Sequence, residues 1–283
     1  MVMAAVIPIH PFKGRGAASR VAHRFESLAR DAFDDGWGTL QEGESDGPRP
    51  PDTEVTLDDA KSAITRNDSP DIHFDYGLNP YRGCEHGCVY CYARPTHSYL
   101  NLSPGLDFET KIIAKRNVAE VLARELAARG YVPQQIVIGS ATDAYQPLER
   151  KLRIARGVME VLHSCHHPMA LVTKGSGVER DLDLLGPMAA RGLAAVYVTI
   201  TTLDGELARK LEPRAASPLR RLRVALRSPG GVVVDERTRL VLVDLQALAH
   251  GLFLVVVTLD QGLAGDVVLA FHLGRVELDV VGA

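Results

Sequence analysis

Apolar positions along the middle of the chain alternate between two rhythms. Residues 135–139 form a short apolar run, and 149–163 repeat apolar residues at helical spacing through Leu152, Ala155, Val158, Met159 and Leu162. Residues 169–173 are apolar again, and a helix over 179–191 and a strand over 195–201 follow. Short β-rich runs read as strands and i, i+3, i+4 repeats as helices. With the stretch from Asp75 and a helix over 110–129, these segments make about four successive βα units. That alternation predicts an α/β fold, a partial (βα) barrel with parallel strands.

The flanks read differently. Residues 1–70 are rich in Gly, Pro, Asp and Arg and are expected to be a loosely structured lead-in, with one helical candidate over 21–32 and a Pro-rich passage over 47–52. Within it Gly14-Arg15-Gly16-Ala17-Ala18-Ser19 lacks the third glycine of a dinucleotide loop and follows no strand. Residues 71–222 form the expected core. From Leu211 to Ala283 there is no Lys, Ile, Asn, Met, Cys, Tyr or Trp, and 231–235, 240–245, 253–259, 267–271 and 276–281 are Val/Leu runs without good helices between them. Parallel strands need crossovers that such a tail hardly supplies. Residues 223–283 are therefore expected to be an atypical segment from an altered reading frame that leaves the barrel incomplete. A membrane span over 240–259 is not expected, because Asp244, Gln246 and His250 interrupt it and a central Asp costs about 2.5–3.5 kcal/mol.

A formal charge of −3 over 283 residues excludes a global basic field, so any nucleic-acid contact must come from a local patch. Three of the four cysteines fall within eight residues, which suits metal binding in a reducing compartment better than disulfides. Residues 1–9 lack a basic n-region and contain Pro8. The expected location is cytoplasmic.

Cys84, Cys88 and Cys91 are spaced Cys-x3-Cys-x2-Cys with no fourth cysteine nearby. Three thiolates can hold three irons of a cubane and leave the fourth open, an arrangement for chemistry, since closed sites take four protein ligands. The alternatives are a zinc knuckle completed by His86 or a distant histidine, or three merely buried cysteines. Tyr90, an aromatic just before the third cysteine, can pack against an adenine ring.

The run Asn79-Pro80-Tyr81-Arg82-Gly83-Cys84-Glu85-His86-Gly87-Cys88-Val89-Tyr90-Cys91-Tyr92-Ala93-Arg94-Pro95-Thr96-His97 resembles the spore photoproduct lyase-like branch of the radical SAM (S-adenosylmethionine) superfamily. The resemblance spans roughly residues 14–222 and continues through 103–109, 142–149, 173–175, 180–185, 201–204 and 211–214. It implies a 4Fe-4S cluster on Cys84, Cys88 and Cys91 that binds S-adenosylmethionine through its open iron. Reductive cleavage to methionine and a 5'-deoxyadenosyl radical would follow, with flavodoxin or ferredoxin as electron donor and a nucleic-acid lesion as a possible substrate. The alternative is a truncated, non-catalytic iron-sulfur or zinc-binding protein. No catalytic residue beyond the cofactors is identified.

Around such a cofactor, Asp143 is expected to meet the methionine ammonium, and Lys174 with Ser176 the carboxylate. Thr199 and Thr201, alternating on one side of a strand, are expected at the ribose, and Tyr90, Tyr92 and Thr142 complete the cofactor-binding candidates. Glu212 and Arg214 read as an ion pair at the barrel mouth, and Arg82, Arg94 and His97 as groups that could orient a substrate anion. His163, Cys165, His166 and His167 cluster at a helix end and read as structural.

Overall fold

The computed structural model describes residues 12–25, 51–69 and 74–227, and in the tail the strands Leu240–Val241, Leu252–Thr258, Val267–His272 and Arg275–Val280. The expected helix over 21–32 shows no helix in its described part, 21–25, and its remainder lies outside the described residues, as does 231–235.

Among the described residues the main sheet runs Thr65–Arg66, Tyr76–Leu78, Ile136–Ile138, Met169–Thr173, Ala194–Ile200, Leu252–Thr258 and Leu240–Val241. Every pairing from Tyr76–Leu78 to Leu252–Thr258 is parallel. Because consecutive parallel strands all point one way, their C-terminal ends lie along one rim, where the connecting loops can share a site. The strands do not close on themselves, which agrees with the expected partial barrel.

One face of the sheet is sealed by the helices Val118–Leu126, Ile154–Ser164 and Leu182–Ala189. Val121, Leu122, Val158, Met159, Leu162, Leu185 and Met188 are buried in one cluster with Ile136, Ile138, Leu171, Val196 and Val198. Along Ala194–Ile200, Ala194, Val196, Val198 and Ile200 are buried, while Ala195, Tyr197 and Thr199 are only half-buried on the other face. The period-2 alternation of a strand thus gives one face to the helices and the other to the open side of the half-barrel.

Three helices differ from expectation. The one expected over 110–129 begins only at Val118, because Lys111–Lys115 is a strand pairing parallel with Glu54–Asp58 and antiparallel with Tyr81–Arg82. Its β-branched Ile112 and Ile113 favour that state. The helix expected over 149–163 breaks into Glu149–Leu152 and Ile154–Ser164 at Arg153, which adopts φ 52°. The buried Glu149 carboxylate accepts the N–H groups of Ala155 and Arg156 at 3.0 and 3.2 Å, satisfying the start of the second segment. The third begins as a 3-10 turn, Gly177–Asp181, before Leu182–Ala189.

The flanks are also more built than the sequence suggested. Within the expected lead-in, Glu54–Asp58 is a sheet strand, and Arg15 is buried, donating to the carbonyls of Glu109 (3.0 Å) and Pro51 (2.8 Å). The tail strand Leu252–Thr258 joins the sheet parallel to Ala194–Ile200, against the expectation that the tail could not supply a parallel strand. Helix Pro218–Arg227 runs straight through the boundary expected near Leu222 and buries Arg221, Val224 and Ala225 at i, i+3, i+4 spacing. Among the described residues no helix is long and apolar enough to cross a membrane.

Lys115 provides a pH-dependent test of this packing. Burial, with the charge of Arg82 beside it and Asp58 opposing, lowers its ammonium pKa to about 8. Below that pH the folded and unfolded chains both carry the proton and the full penalty applies, roughly 3 kcal/mol by the free-energy value of a pKa unit. Between about 8 and 10.5 the unfolded chain binds more protons, so stability rises with pH and the penalty is gone above 10.5. Lys115→Met should therefore stabilise the protein in urea unfolding at pH 7 and have little effect at pH 10.5; equal effects at both would contradict the assignment.

Candidate metal centre

The cysteine loop follows the strands Tyr76–Leu78 and Tyr81–Arg82 at the C-terminal rim, and its backbone is gripped at almost every step. Gly83 turns at φ 83°, where an added Cβ would lie 2.9 Å from the Phe108 carbonyl, His97 and Ile112. The Cys84 N–H donates to that same carbonyl at 2.9 Å. Gln146, fully buried, accepts the Glu85 N–H (2.9 Å) and donates to the Gly83 carbonyl (3.3 Å). Arg94 donates twice to the Cys88 carbonyl (3.1 and 2.8 Å) and pairs with buried Glu109. Glu109 also accepts the Gly16 N–H at 2.9 Å, and a Cβ on Gly16 would sit 1.8 Å from the Gly87 carbonyl oxygen. The lead-in segment is thus part of the loop's seat, at a spot where only glycine fits.

All three thiols are free, Cys84 buried and Cys88 and Cys91 half-buried. Burial pushes Cys84 well above the usual thiol range and Cys88 to about 12, the latter against the pull of Lys174; metal coordination deprotonates a thiol outright. Soft thiolate donors suit an iron-sulfur cluster or zinc. Among the described residues no three His, Cys, Asp or Glu side chains form a ready single-ion site. Thiolates that each take a different iron of a cubane need not converge on one point, so the donor set fits a three-cysteine cluster. Cys165 is exposed, and His167 lies between the Tyr131 hydroxyl (2.8 Å) and the Pro168 carbonyl (3.0 Å).

Asp143 stands behind the loop, half-buried, and its carboxylate is met by the chain's own groups. It accepts from the Thr173 hydroxyl (2.7 Å) and the N–H groups of Tyr145 (2.8 Å) and Lys174 (2.6 Å). His86 Nδ1 lies 3.2 Å from it, close enough for an ion pair but without hydrogen-bond alignment. Burial works to raise the Asp143 pKa, but the His86 charge and these bonds outweigh it and hold the carboxyl well below the usual range. Three of the carboxylate's acceptor positions are thus taken by the chain's own groups, one of them by the Lys174 N–H, so Asp143 braces the strand end that carries Lys174.

The Lys174 ammonium lies 5.8 Å from the Tyr90 ring centroid. The Tyr90 hydroxyl donates to Glu212, which also accepts from the Thr201 hydroxyl (2.9 Å) and pairs with Arg221. Burial would raise the Glu212 pKa, but Arg221 and these donors hold it below the usual value. Arg221 is 1% exposed and also donates to the carbonyls of Ala216 (2.7 Å) and Thr199 (2.9 Å). Glu212 and Arg214 therefore do not pair with each other; Arg214 reaches Glu85 at 3.2 Å instead.

Thr199 shares the half-buried strand face with Ala195 and Tyr197. Tyr92 is exposed and its hydroxyl donates to the Ser140 carbonyl. Thr142 is buried with its hydroxyl on the Tyr81 carbonyl (3.3 Å), and Ser176 lines a neighbouring cavity that none of the cysteines reaches. Arg94 and His97 are occupied inside the fold and only Arg82 is exposed. Gln146, Glu109 and Arg221 were not singled out as site residues from sequence. The first two stand within the motif blocks that carry the resemblance, whereas no local signal marks Arg221.

The open parallel half-barrel places a loop with three free thiols at its C-terminal rim, an arrangement whose donors suit a metal centre. A family model described as the radical SAM superfamily matches residues 78–228, and the chain belongs to that superfamily. It is 37% identical over 173 residues to an uncharacterized protein of Mycobacterium tuberculosis, a stretch that covers 60% of this chain and 51% of that protein. It is 26% identical over 147 residues to an uncharacterized protein of Methanocaldococcus jannaschii, covering 52% of each. The chain thus spans about half the length of the curated relatives it matches. A spore photoproduct lyase variant solved with bound AdoMet and dinucleoside spore photoproduct is 16% identical, with a TM-score of 0.45, over 61% of this chain and 46% of that one.

Proposed function

We propose that Cys84, Cys88 and Cys91 hold a 4Fe-4S cluster whose open iron takes S-adenosylmethionine, making this a lyase-like radical SAM enzyme. The observation that supports the reading is the loop itself: three free thiols at the C-terminal rim, with the backbone anchored at Gly83, Cys84, Glu85, Cys88 and Val89 and with Lys174 and Tyr90 beside it. A cluster held there would supply one-electron reduction of S-adenosylmethionine, the chemistry that cleaves its carbon–sulfur bond to methionine and a 5'-deoxyadenosyl radical.

The chain's own residues bind and orient. The Lys174 ammonium takes the methionine carboxylate, and Asp143 holds the Lys174 backbone in place. Tyr90, fixed through Glu212, offers its ring to the adenine, and Thr199 and Thr201 face the ribose. Tyr92 lies at the exposed edge of the site. The electron donor is a flavodoxin or ferredoxin, the location cytoplasmic, and the substrate class a nucleic-acid lesion, the last resting on the motif blocks around the cysteines.

Anaerobic reconstitution followed by an assay for 5'-deoxyadenosine tests the proposal; stoichiometric zinc without sulfide would sink it in favour of a non-catalytic zinc protein. Lys174→Ala should retain full iron and sulfide but bind S-adenosylmethionine about ten- to a hundredfold more weakly, the value of one charge-assisted contact. Asp143→Ala should lower both affinity and melting temperature, because it unties the strand end. Unchanged affinity in a fully loaded Lys174→Ala protein, measured by equilibrium dialysis, would remove Lys174 from the cofactor site.

A further inference from the structure

A second cavity, of about 250 Å³, lies beside the cysteine loop and shares with it only His86. It sits at the same rim, between the loops after Ile136–Ile138 and Met169–Thr173 and the loop that precedes helix Pro218–Arg227. Its lining includes Arg150, Arg180, Arg214 and Arg220 together with Ser176 and Ser217, the last of which accepts the Arg220 N–H at 3.3 Å. Among the lining residues the one carboxylate is Glu149, which is buried and already accepts from Tyr81, Ala155, Arg156 and Arg180; Asp181, Glu179 and Glu85 pair with three of the arginines from outside the lining.

The charge there is only partly answered from within. Arg180 is committed to Glu149 and Asp181, and Arg220 pairs with Glu179. Arg214 reaches Glu85 at 3.2 Å. Arg150 makes no ion pair among the described residues and is exposed at the mouth. A guanidinium has five N–H donors, so Arg214 and Arg220 retain several after their single partners are served. Ser217 leads into the ten-residue helix Pro218–Arg227, whose positive end adds to the same field. Fork-shaped donors around a small polar cavity match the oxygens of a phosphate group, which bidentate guanidinium contacts favour over a simple point charge.

We infer that this cavity binds a phosphate group, carried either by a polynucleotide backbone or by a free phosphorylated molecule. The wall is joined to the cysteine loop by the Arg214 N–H, which donates to the His86 carbonyl at 3.2 Å, so an anion seated there is held one loop away from the thiols. The inference goes beyond the cluster reading and does not depend on it, since neither the cysteines nor Lys174 line the cavity.

The test uses the full, reconstituted chain, with iron and sulfide measured on every sample so that loss of the cluster is distinguished from loss of the anion site. Inorganic phosphate and pyrophosphate are titrated calorimetrically, and a fluorescein-labelled single-stranded DNA oligonucleotide by anisotropy. The double variant Arg150→Gln/Arg220→Gln should weaken whichever probe binds by about tenfold or more while iron content and melting temperature stay level. The control Arg124→Gln, on the outer helix Val118–Leu126, should leave binding unchanged. Should the double variant unfold, Arg150→Glu alone, at an exposed position, serves in its place and should weaken binding as much. Loss of oligonucleotide binding identifies a polynucleotide as the source; loss of phosphate or pyrophosphate binding with no oligonucleotide binding identifies a small phosphorylated molecule. Binding of none of these probes, equal binding in the cavity variants, or an equal loss in Arg124→Gln overturns the inference.

Discussion

Replacing any one of Cys84, Cys88 and Cys91 by Ala should abolish cluster assembly, seen as loss of the visible iron-sulfur absorption and of iron and sulfide after anaerobic reconstitution, whereas Cys165→Ala should load fully. In the proposed cluster each thiolate would take a different iron, so no two could compensate for a third. Cys165 is the only other cysteine in the sequence and lies exposed at the end of helix Ile154–Ser164, away from the loop. The backbone around the loop is held by Gln146, Arg94 and the Phe108 carbonyl, none of which depends on a sulfur. The apo variants should therefore stay folded, with a far-ultraviolet spectrum like the parent's. Equal iron loss in all four variants would show that Cys165 is a ligand after all, and retention of the cluster in any of the first three would overturn the donor set.

The largest stability effect is expected at Arg221. Its guanidinium is buried and serves Glu212 and two carbonyls, so Arg221→Ala leaves a buried carboxylate without its counter-charge. Breaking such a pair by removing one partner costs about 3–5 kcal/mol, which urea unfolding would report as a large drop in midpoint. The double variant Glu212→Gln/Arg221→Met should recover much of that loss, because the desolvation cost of both charges disappears together. Glu212 also receives the Tyr90 and Thr201 hydroxyls. The double variant should accordingly fold better than Arg221→Ala yet bind S-adenosylmethionine more weakly than the parent. A single variant within about 0.5 kcal/mol of wild type, the range of ordinary surface substitutions, would contradict a buried pair at this position.

Much of the site was legible from local signals, because the cysteine loop is built from a continuous segment. The spacing of Cys84, Cys88 and Cys91, with glycines at 83 and 87, marks a candidate metal loop without knowledge of any distant residue. The apolar runs at Ile136–Ile138 and Met169–Thr173 likewise announce parallel strands, since burial on both faces leaves a mark on nearly every residue, while Ala194–Ile200 shows the period-2 alternation of a strand with one face on the helices. Misread elements were those decided by partners. Lys111–Lys115 had helical neighbours in sequence but found an edge in Glu54–Asp58, and Arg153 broke a helix whose apolar rhythm ran on unbroken.

The sequence by itself determined the half-barrel and the superfamily resemblance and marked the three thiols as candidate donors, all of which rest on residues near one another in the chain. Only the tertiary structure decided what the charged residues do. Asp143, a carboxylate at a strand end, reads from sequence as a ligand for a cation, and only the fold shows that Thr173 and Lys174, some 30 residues on, donate to its oxygens. Glu212 and Arg214 are two residues apart and look like a pair, yet one turns to Arg221 and the other to Glu85. Gly16 and Arg15 look like part of a loose leader until Glu109, more than 90 residues away, draws them under the cysteine loop. A carboxylate or guanidinium has several donor or acceptor sites and no preferred sequence separation for its partner. Burial makes leaving any of those sites empty costly, so the choice among partners is made by which side chains the packed strands and helices bring within reach.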